Sequence, residues 1–214
     1  GKSDRLLAGA LLDVTMPEAP AADAITGKPV DGMSEIYADD DIVQRQLSQY
    51  DNWYRRNHKF LLYEYERSLL RPGTSMPAFS VFLERGTETT EHILPQNPTA
   101  GSEWLRTFTA DDRKTLTHTL GNLMLTMDNS RYSNHDYDVK RGTRDAAPDA
   151  SCYFNGSLAQ EREVAAQYAA WTPADVRSRQ AHLAEWIMGR WALPDTAVAA
   201  AEPSSEDVLD DILG

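Results

Sequence analysis

The segment Glu91-His92-Ile93-Leu94-Pro95-Gln96 puts a carboxylate directly beside a histidine, just ahead of a proline. Glutamate offers a hard anionic oxygen suited to a divalent cation, and a neutral imidazole can take a proton near neutral pH. On an extended strand the two side chains point to opposite faces, so one site can use both only where the chain bends, as Pro95 encourages. Taken alone, a Glu-His pair in a strand is more often structural than catalytic. Two later segments add polar groups: His118-Thr119-Leu120-Gly121-Asn122-Leu123-Met124-Leu125, and Asn129-Ser130-Arg131-Tyr132-Ser133-Asn134, which runs on to Lys140-Arg141. Asparagines at such junctions commonly cap helices or form turns, and each alone is ordinary.

Their order is more informative than any member. His92, then Gly121-Asn122-Leu123, then Asn129 and Asn134 with Lys140 beyond, resembles the ββα-metal (His-Me finger, HNH) nuclease motif. The longer pattern "EHILPQNP", Trp104, "HTLGNLMLT", "NS", "SN" and Lys140 resembles the C-terminal nuclease domain of GmrSD-type modification-dependent restriction enzymes. SspE-like effectors of phosphorothioate-sensing phage defence share this domain. The upstream "KFLLYEYERSL" and the downstream "WTPADVRSRQAHLAEWIMGRW" extend the likeness over roughly residues 40 to 193.

That resemblance implies a phosphodiester hydrolase in which His92 is the general base and Asn122 holds the loop that carries it. It implies a divalent ion, Mg²⁺ with Mn²⁺ as the alternative, on Glu91 and an asparagine oxygen, Asn129 first and Asn134 second. Lys140 and Arg141, with Arg131 behind them, would neutralise DNA phosphates. The implied partners are DNA and an N-terminal nucleotide-hydrolysing sensor domain, in a bacterial cytoplasm and away from any membrane. No G-x-x-x-x-G-K-[ST] loop occurs in this chain, so such hydrolysis would lie elsewhere. The competing function is a catalytically silent DNA-binding or autoinhibitory module of a larger defence protein. His118 reads as a structural hydrogen-bond partner more readily than as a second ligand, and His135 as an exposed loop histidine. His58 and His182 have no partner in sequence, and Trp104, Trp171, Trp186 and Trp191 read as packing.

The elements that must position these residues follow from pattern. Asp39 to Asp41 can cap a helix containing Ile42, Val43 and Leu47. Tyr54, Leu61, Tyr65 and Leu69 recur at helical spacing from about Trp53 to Leu70, where Arg71-Pro72-Gly73 ends the run. Phe79, Val81 and Leu83 alternate as in a strand, and Thr89 to Leu94 reads as a second strand stopped by Pro95. Residues 97–103 read as a loop. Thr109-Ala110-Asp111-Asp112 opens a short helix toward His118, Leu120 to Thr126 is a brief apolar run, and Lys140 lies on a helix. Helices are predicted over 158–170 and 173–192, the latter with Thr172 before Pro173. The expectation is an α+β fold, a mostly helical domain wrapped around a ββα-metal (HNH) motif, over residues 40–195. Residues 1–39 read as an irregular arm and 196–214 as an acidic tail.

Composition bounds these readings. The chain has 214 residues, 41% of them hydrophobic, and a net charge of −12, which taken whole argues against nucleic acid. Taken by segment, residues 1–50 carry 4 Lys/Arg against 9 Asp/Glu, residues 146–214 carry 4 against 11, and residues 51–145 carry 13 against 13. The acidity therefore sits in the flanks, and the balanced middle can still gather cations on one face. The single cysteine, Cys152, excludes an internal disulfide and a multi-cysteine zinc site. No apolar run reaches the roughly 20 residues needed to span a bilayer. Beginning at Gly1, the chain is expected to be a piece of a longer protein or one that has lost a tag.

Overall fold

A computed structural model of the chain describes residues 40–49, 52–55, 58–127 and 129–191. The expected N-terminal arm and acidic tail lie outside the described residues. Helices α1 (Asp40–Gln49), α2 (His58–Leu69) and α3 (Phe79–Glu84) precede the short strand β1 (Thr90–His92). Then come α4 (Glu103–Thr107), α5 (Ala110–Leu116), strand β2 (Leu123–Leu125) and α6 (Tyr137–Arg141). Two longer helices, α7 (Ala159–Gln167) and α8 (Pro173–Arg190), close the order. The fold is α+β, mostly helical around one small sheet.

β1 and β2 pair antiparallel, with Thr90 opposite Leu125, Glu91 opposite Met124 and His92 opposite Leu123. This two-stranded ribbon divides the core. Leu123 and Leu125 pack with Leu47, Trp53, Leu61, Leu62 and Phe82, whereas Met124 packs with Ile93, Trp104, Tyr137, Tyr153 and Trp171. The split follows from the period of two along a strand. Thr90 and His92 thus share the first face, and Glu91 faces the second. A three-residue strand pair has little stability by itself, so burial on both faces supplies it.

Helix starts obey local chemistry. Thr109 and Asp112 form a reciprocal capping box at α5, and Thr172 with Asp175 does the same at α8, ahead of Pro173. At α7 the free N–H groups are capped from another helix: Glu66 accepts from Ala159 N at 2.6 Å and Gln160 N at 2.9 Å. The Gln160 side chain in turn accepts from Leu125 N at 2.8 Å, tying α7 to β2.

Two expectations are corrected. Residues 79–83, read as a strand, form α3. Phe82 is buried while Leu83 is 55% exposed, and Phe79 and Phe82 meet Tyr63 one turn apart on the same helical side. Lys59 then donates to Phe82 O at the end of the helix. Alternation over five residues cannot outweigh a docking surface at helical spacing. The helix expected from Trp53 begins at His58, after a separate 3₁₀ turn at Trp53–Arg55.

Candidate active site

β1 ends at His92, and the chain then turns through Ile93-Leu94-Pro95. Asn122 holds that turn with every hydrogen-bonding group of its amide. Its Oδ1 accepts from Leu94 N at 2.8 Å and from Trp171 Nε1 at 3.1 Å. Its Nδ2 donates to Leu94 O at 3.0 Å and Thr117 O at 2.8 Å, and the residue is fully buried. The Asn122 turn is itself clamped by α8. Arg179 Nη1 donates to Gly121 O at 2.8 Å and Leu123 O at 2.7 Å, and Gln180 Oε1 accepts from Gly121 N. Gly121 is required here for close approach: a Cβ would meet Val176 O and lie 2.9 Å from Gln180 Cβ.

Glu91 is 2% exposed, and its Oε1 accepts from Lys140 Nζ at 2.7 Å and Tyr153 OH at 2.8 Å. Among the described residues its Oε2 takes no hydrogen bond. Lys140 also donates to His92 O and Ile93 O, each at 3.1 Å. Burial pushes the Glu91 carboxyl up and the Lys140 ammonium down, while their mutual attraction opposes both shifts. The expectation that Lys140 faces DNA phosphate is corrected accordingly. Its side chain is fully buried, and its charge serves Glu91 and two backbone carbonyls.

On the opposite face, His92 Nε2 lies 3.1 Å from His118 Nδ1, and its Nδ1 lies 3.4 Å from Gln96 Nε2. The Tyr54 ring meets the His92 ring edge-on at 4.4 Å. Burial first, then the charges of His118, His58 and Lys140, lowers the His92 pKa to about 3, so the imidazole is neutral at physiological pH.

Both faces open onto one pocket of about 420 Å³, lined among others by Glu88, Glu91, His92, Gln96, Asn129 and Asn134. Four of the residues singled out from the sequence therefore share a cavity, although they come from β1 and from the turns after β2. Asn129 opens the 3₁₀ turn Asn129–Arg131, and Ser133 at φ 44° bends the chain before Asn134. Asn122 stands behind this pocket as its anchor. Arg131 is exposed on the Asn129 turn but is not part of the lining. Arg141 is half-buried; its Nε donates to Ala165 O at 2.9 Å, and its guanidinium lies 5.2 Å from the centre of the Phe154 ring. Neither arginine is brought to the pocket.

No group of three or more His, Cys, Asp or Glu side chains poised for a metal occurs among the described residues. The pocket's lining instead carries two carboxylates, Glu88 and Glu91, and three amides, Gln96, Asn129 and Asn134, beside the His92 imidazole. These carboxylate and amide oxygens, with Glu91 Oε2 not committed to a hydrogen bond among the described residues, fit a hard divalent cation, and a single histidine with no cysteine is a poor set for zinc. Sequence reasoning missed Glu88, Tyr153 and Arg179, and it read Trp171 as packing, which holds, without its hydrogen bond to Asn122. Glu88 lies three residues before Glu91 and could have been noticed; Tyr153, Trp171 and Arg179 carry no local signal of contact with the site.

The chain matches the family of GmrSD restriction endonucleases, C-terminal domain, over residues 37–186. It belongs to that family. The ordered polar segments that resembled a GmrSD domain all lie within the matched span. Over 43 residues the chain is also 58% identical to a protein described as an uncharacterized RNA pseudouridine synthase from Mycobacterium bovis. It is equally similar to one of the same description from Mycobacterium tuberculosis. Those stretches cover 20% of this chain and 14% of each relative, so the chain spans about one-seventh of their length. No solved structure matches. Among the described residues, no helix is long and apolar enough to cross a membrane.

Proposed function

We propose that this GmrSD C-terminal domain is a metal-dependent DNA endonuclease or nickase that hydrolyses phosphodiester bonds in the Glu91–His92 pocket. The observation that carries the reading is the convergence of Glu91, His92, Asn129 and Asn134 on one cavity, with Asn122 saturating its hydrogen bonds behind it. The succession β1, β2, the Asn129–Arg131 turn and α6 is read as the ββα core of an HNH nuclease. The same reading assigns it DNA as substrate and a bacterial cytoplasmic setting. Its partner would be a sensor domain carried by a longer anti-phage restriction protein.

The residues divide the work by chemistry. Neutral His92 accepts the proton of an attacking water, and burial keeps its lone pair available. An imidazole whose conjugate acid has a pKa of about 3 is a weak proton acceptor, but an anionic phosphate entering the pocket raises that value by favouring the imidazolium. Glu91 and Asn129 would hold Mg²⁺ or Mn²⁺, with Asn134 and Glu88 as further oxygen donors. When bound, the ion supplies Lewis-acid polarisation of the phosphate and stabilisation of the departing 3′ oxygen. Lys140 opposes the upward push that burial gives the Glu91 carboxyl and braces the His92-Ile93 carbonyls. Asn122, held by Trp171 and flanked by the Arg179 clamp, fixes the turn on which His92 sits.

The test is nicking of supercoiled plasmid in Mg²⁺ or Mn²⁺, comparing the chain with His92→Ala. Cleavage by the parent, abolished in the variant and by chelation, supports the assignment. Equal cleavage by both removes His92 from the chemistry, and cleavage that survives chelation removes the metal.

A further inference from the structure

Asn129 and Asn134, the asparagines assigned to the ion above, sit on a stretch of chain with little burial of its own. Among the described residues 129–135, Tyr132 alone is buried, at 3% exposure, and the others are half-buried or exposed. Ser133 adopts φ 44°, a left-handed conformation that is costly for a residue with a side chain and persists only where its surroundings fix it. The placement of both asparagines therefore depends on what holds Tyr132.

Tyr132 is held by Glu161, in the first turn of α7. The phenol donates to Glu161 Oε1 at 2.7 Å, and Oε2 accepts from Leu158 N at 2.8 Å, so both carboxylate oxygens are engaged. Thr126, directly after β2, hydrogen-bonds the same carboxylate through its side chain. Glu161 thus grips the chain on either side of Asn129. It has no room to shift: it is 1% exposed, and Gly156 packs so closely that a Cβ there would lie 2.7 Å from Oε2. The Tyr132 ring also meets the Tyr153 ring edge-on at 4.7 Å, and Tyr153 is the phenol that donates to Glu91. Two phenol–carboxylate bonds and one ring contact thereby set the spacing between Glu91 and the asparagine turn. Glu161 is not among the residues lining the pocket, so it acts through Tyr132 and not on an ion or substrate.

We propose that Glu161 is a positioning residue that brackets this turn through Tyr132 and Thr126, so that Asn129 and Asn134 face the pocket before any ion arrives. Its consequence for ion affinity rests on the nuclease reading above; the bracket itself does not. The experiment compares the parent chain with Tyr132→Phe, which removes only the phenol oxygen, and with Tyr65→Phe as a matched control. Tyr65 is also buried and also donates to a glutamate of α7, Glu163 at 2.8 Å, but that bond ties α7 to α2 instead of to the turn. Backbone hydrogen exchange reads the bracket without an ion. The amides of residues 132, 133 and 135 donate to Asn129 O and Tyr132 O. They are expected to exchange at least about 10-fold faster in Tyr132→Phe, the scale of losing a hydrogen bond to a charged group, and at the parent rate in Tyr65→Phe. Mn²⁺ affinity, followed by the paramagnetic resonance signal of the free ion, is expected to fall about 10–100-fold in Tyr132→Phe. Plasmid nicking by that variant should half-saturate at correspondingly higher Mn²⁺ and regain the parent rate with the ion in excess. Glu161→Gln, whose amide can still accept from Leu158 N and donate to the phenol oxygen, should lose less than Tyr132→Phe in both measurements. Unchanged exchange or unchanged Mn²⁺ affinity in Tyr132→Phe overturns the proposal, as do equal losses in Tyr65→Phe or a larger loss in Glu161→Gln. A parent that neither binds Mn²⁺ nor cuts plasmid sinks the nuclease reading, while the exchange rates still decide the bracket.

Discussion

Replacing Lys140 with methionine separates the buried role seen in the structure from the phosphate-binding role that its sequence position suggests. Lys140 is fully buried, its ammonium lies 2.7 Å from Glu91 Oε1, and it supplies donors to His92 O and Ile93 O. Methionine fills similar volume but, among the described residues, leaves the Glu91 carboxylate with Tyr153 as its one hydrogen-bond donor and the His92 and Ile93 carbonyls without the Lys140 ammonium. Breaking a buried pair by removing one partner costs about 3–5 kcal/mol, a large share of the roughly 5–15 kcal/mol that holds a domain folded. An exposed, phosphate-facing lysine would cost within about 0.5 kcal/mol.

The penalty should depend on pH. Without Lys140 the folded-state pKa of Glu91 rises further above its unfolded value, so the folded variant binds more protons than the unfolded chain. Stability from such a group is complete below the unfolded pKa and lost as pH rises through the folded one. The deficit of Lys140→Met is therefore larger at pH 8 than at pH 5.5, and adding Glu91→Gln should recover part of it. Urea unfolding of parent, single and double variants at both pH values measures this. DNA affinity of the folded variant against salt supplies the second readout, and its slope should stay unchanged, whereas losing a phosphate contact lowers it by about one. A variant within about 1 kcal/mol of the parent, or a reduced salt slope, refutes the argument.

Three further outcomes follow from the site's geometry. The depressed His92 pKa means that unfolding takes up a proton below about pH 6.5, so stability falls as pH drops toward about 3. Relative to His92→Gln, the parent should lose about 2 kcal/mol between pH 6.5 and pH 5 in urea titrations. Asn122→Ala empties four hydrogen bonds at a fully buried position and should cost at least about 2 kcal/mol, with plasmid nicking lost at temperatures where circular dichroism still reports a folded chain. Gly121→Ala drives a methyl group into Val176 O and the Gln180 side chain, and thermal melting should show a loss of about 1–3 kcal/mol; a neutral result would mean that α8 does not clamp the Asn122 turn.

The sequence by itself determined the features whose cause is local. Thr109 and Thr172-Pro173 announced their helices because a cap is made within four residues, and the stretch from Thr89 to Leu94, read as a strand stopped by Pro95, contains β1. The opposite facing of Glu91 and His92 also followed from strand geometry, and the structure bears it out, with Lys140 and Tyr153 on one side and His118 and Tyr54 on the other. Order along the chain selected Glu91, His92, Asn122, Asn129 and Asn134, but nothing in it revealed which would share a cavity and which would stand behind it. Tertiary structure alone decided the rest. Lys140 and Arg141 are neighbours of identical charge in sequence, yet one is buried on Glu91 and the other turns to Ala165 and Phe154, because α6 packs through one side. Tyr153 reaches Glu91 from 62 residues away, and Arg179 reaches Gly121 from 58, separations over which residue type carries no signal of contact. α3 shows the same limit in reverse. Its strand-like alternation lost to a helix because Phe60 and Tyr63, on another element, offered a surface that only helical spacing of Phe79 and Phe82 could cover.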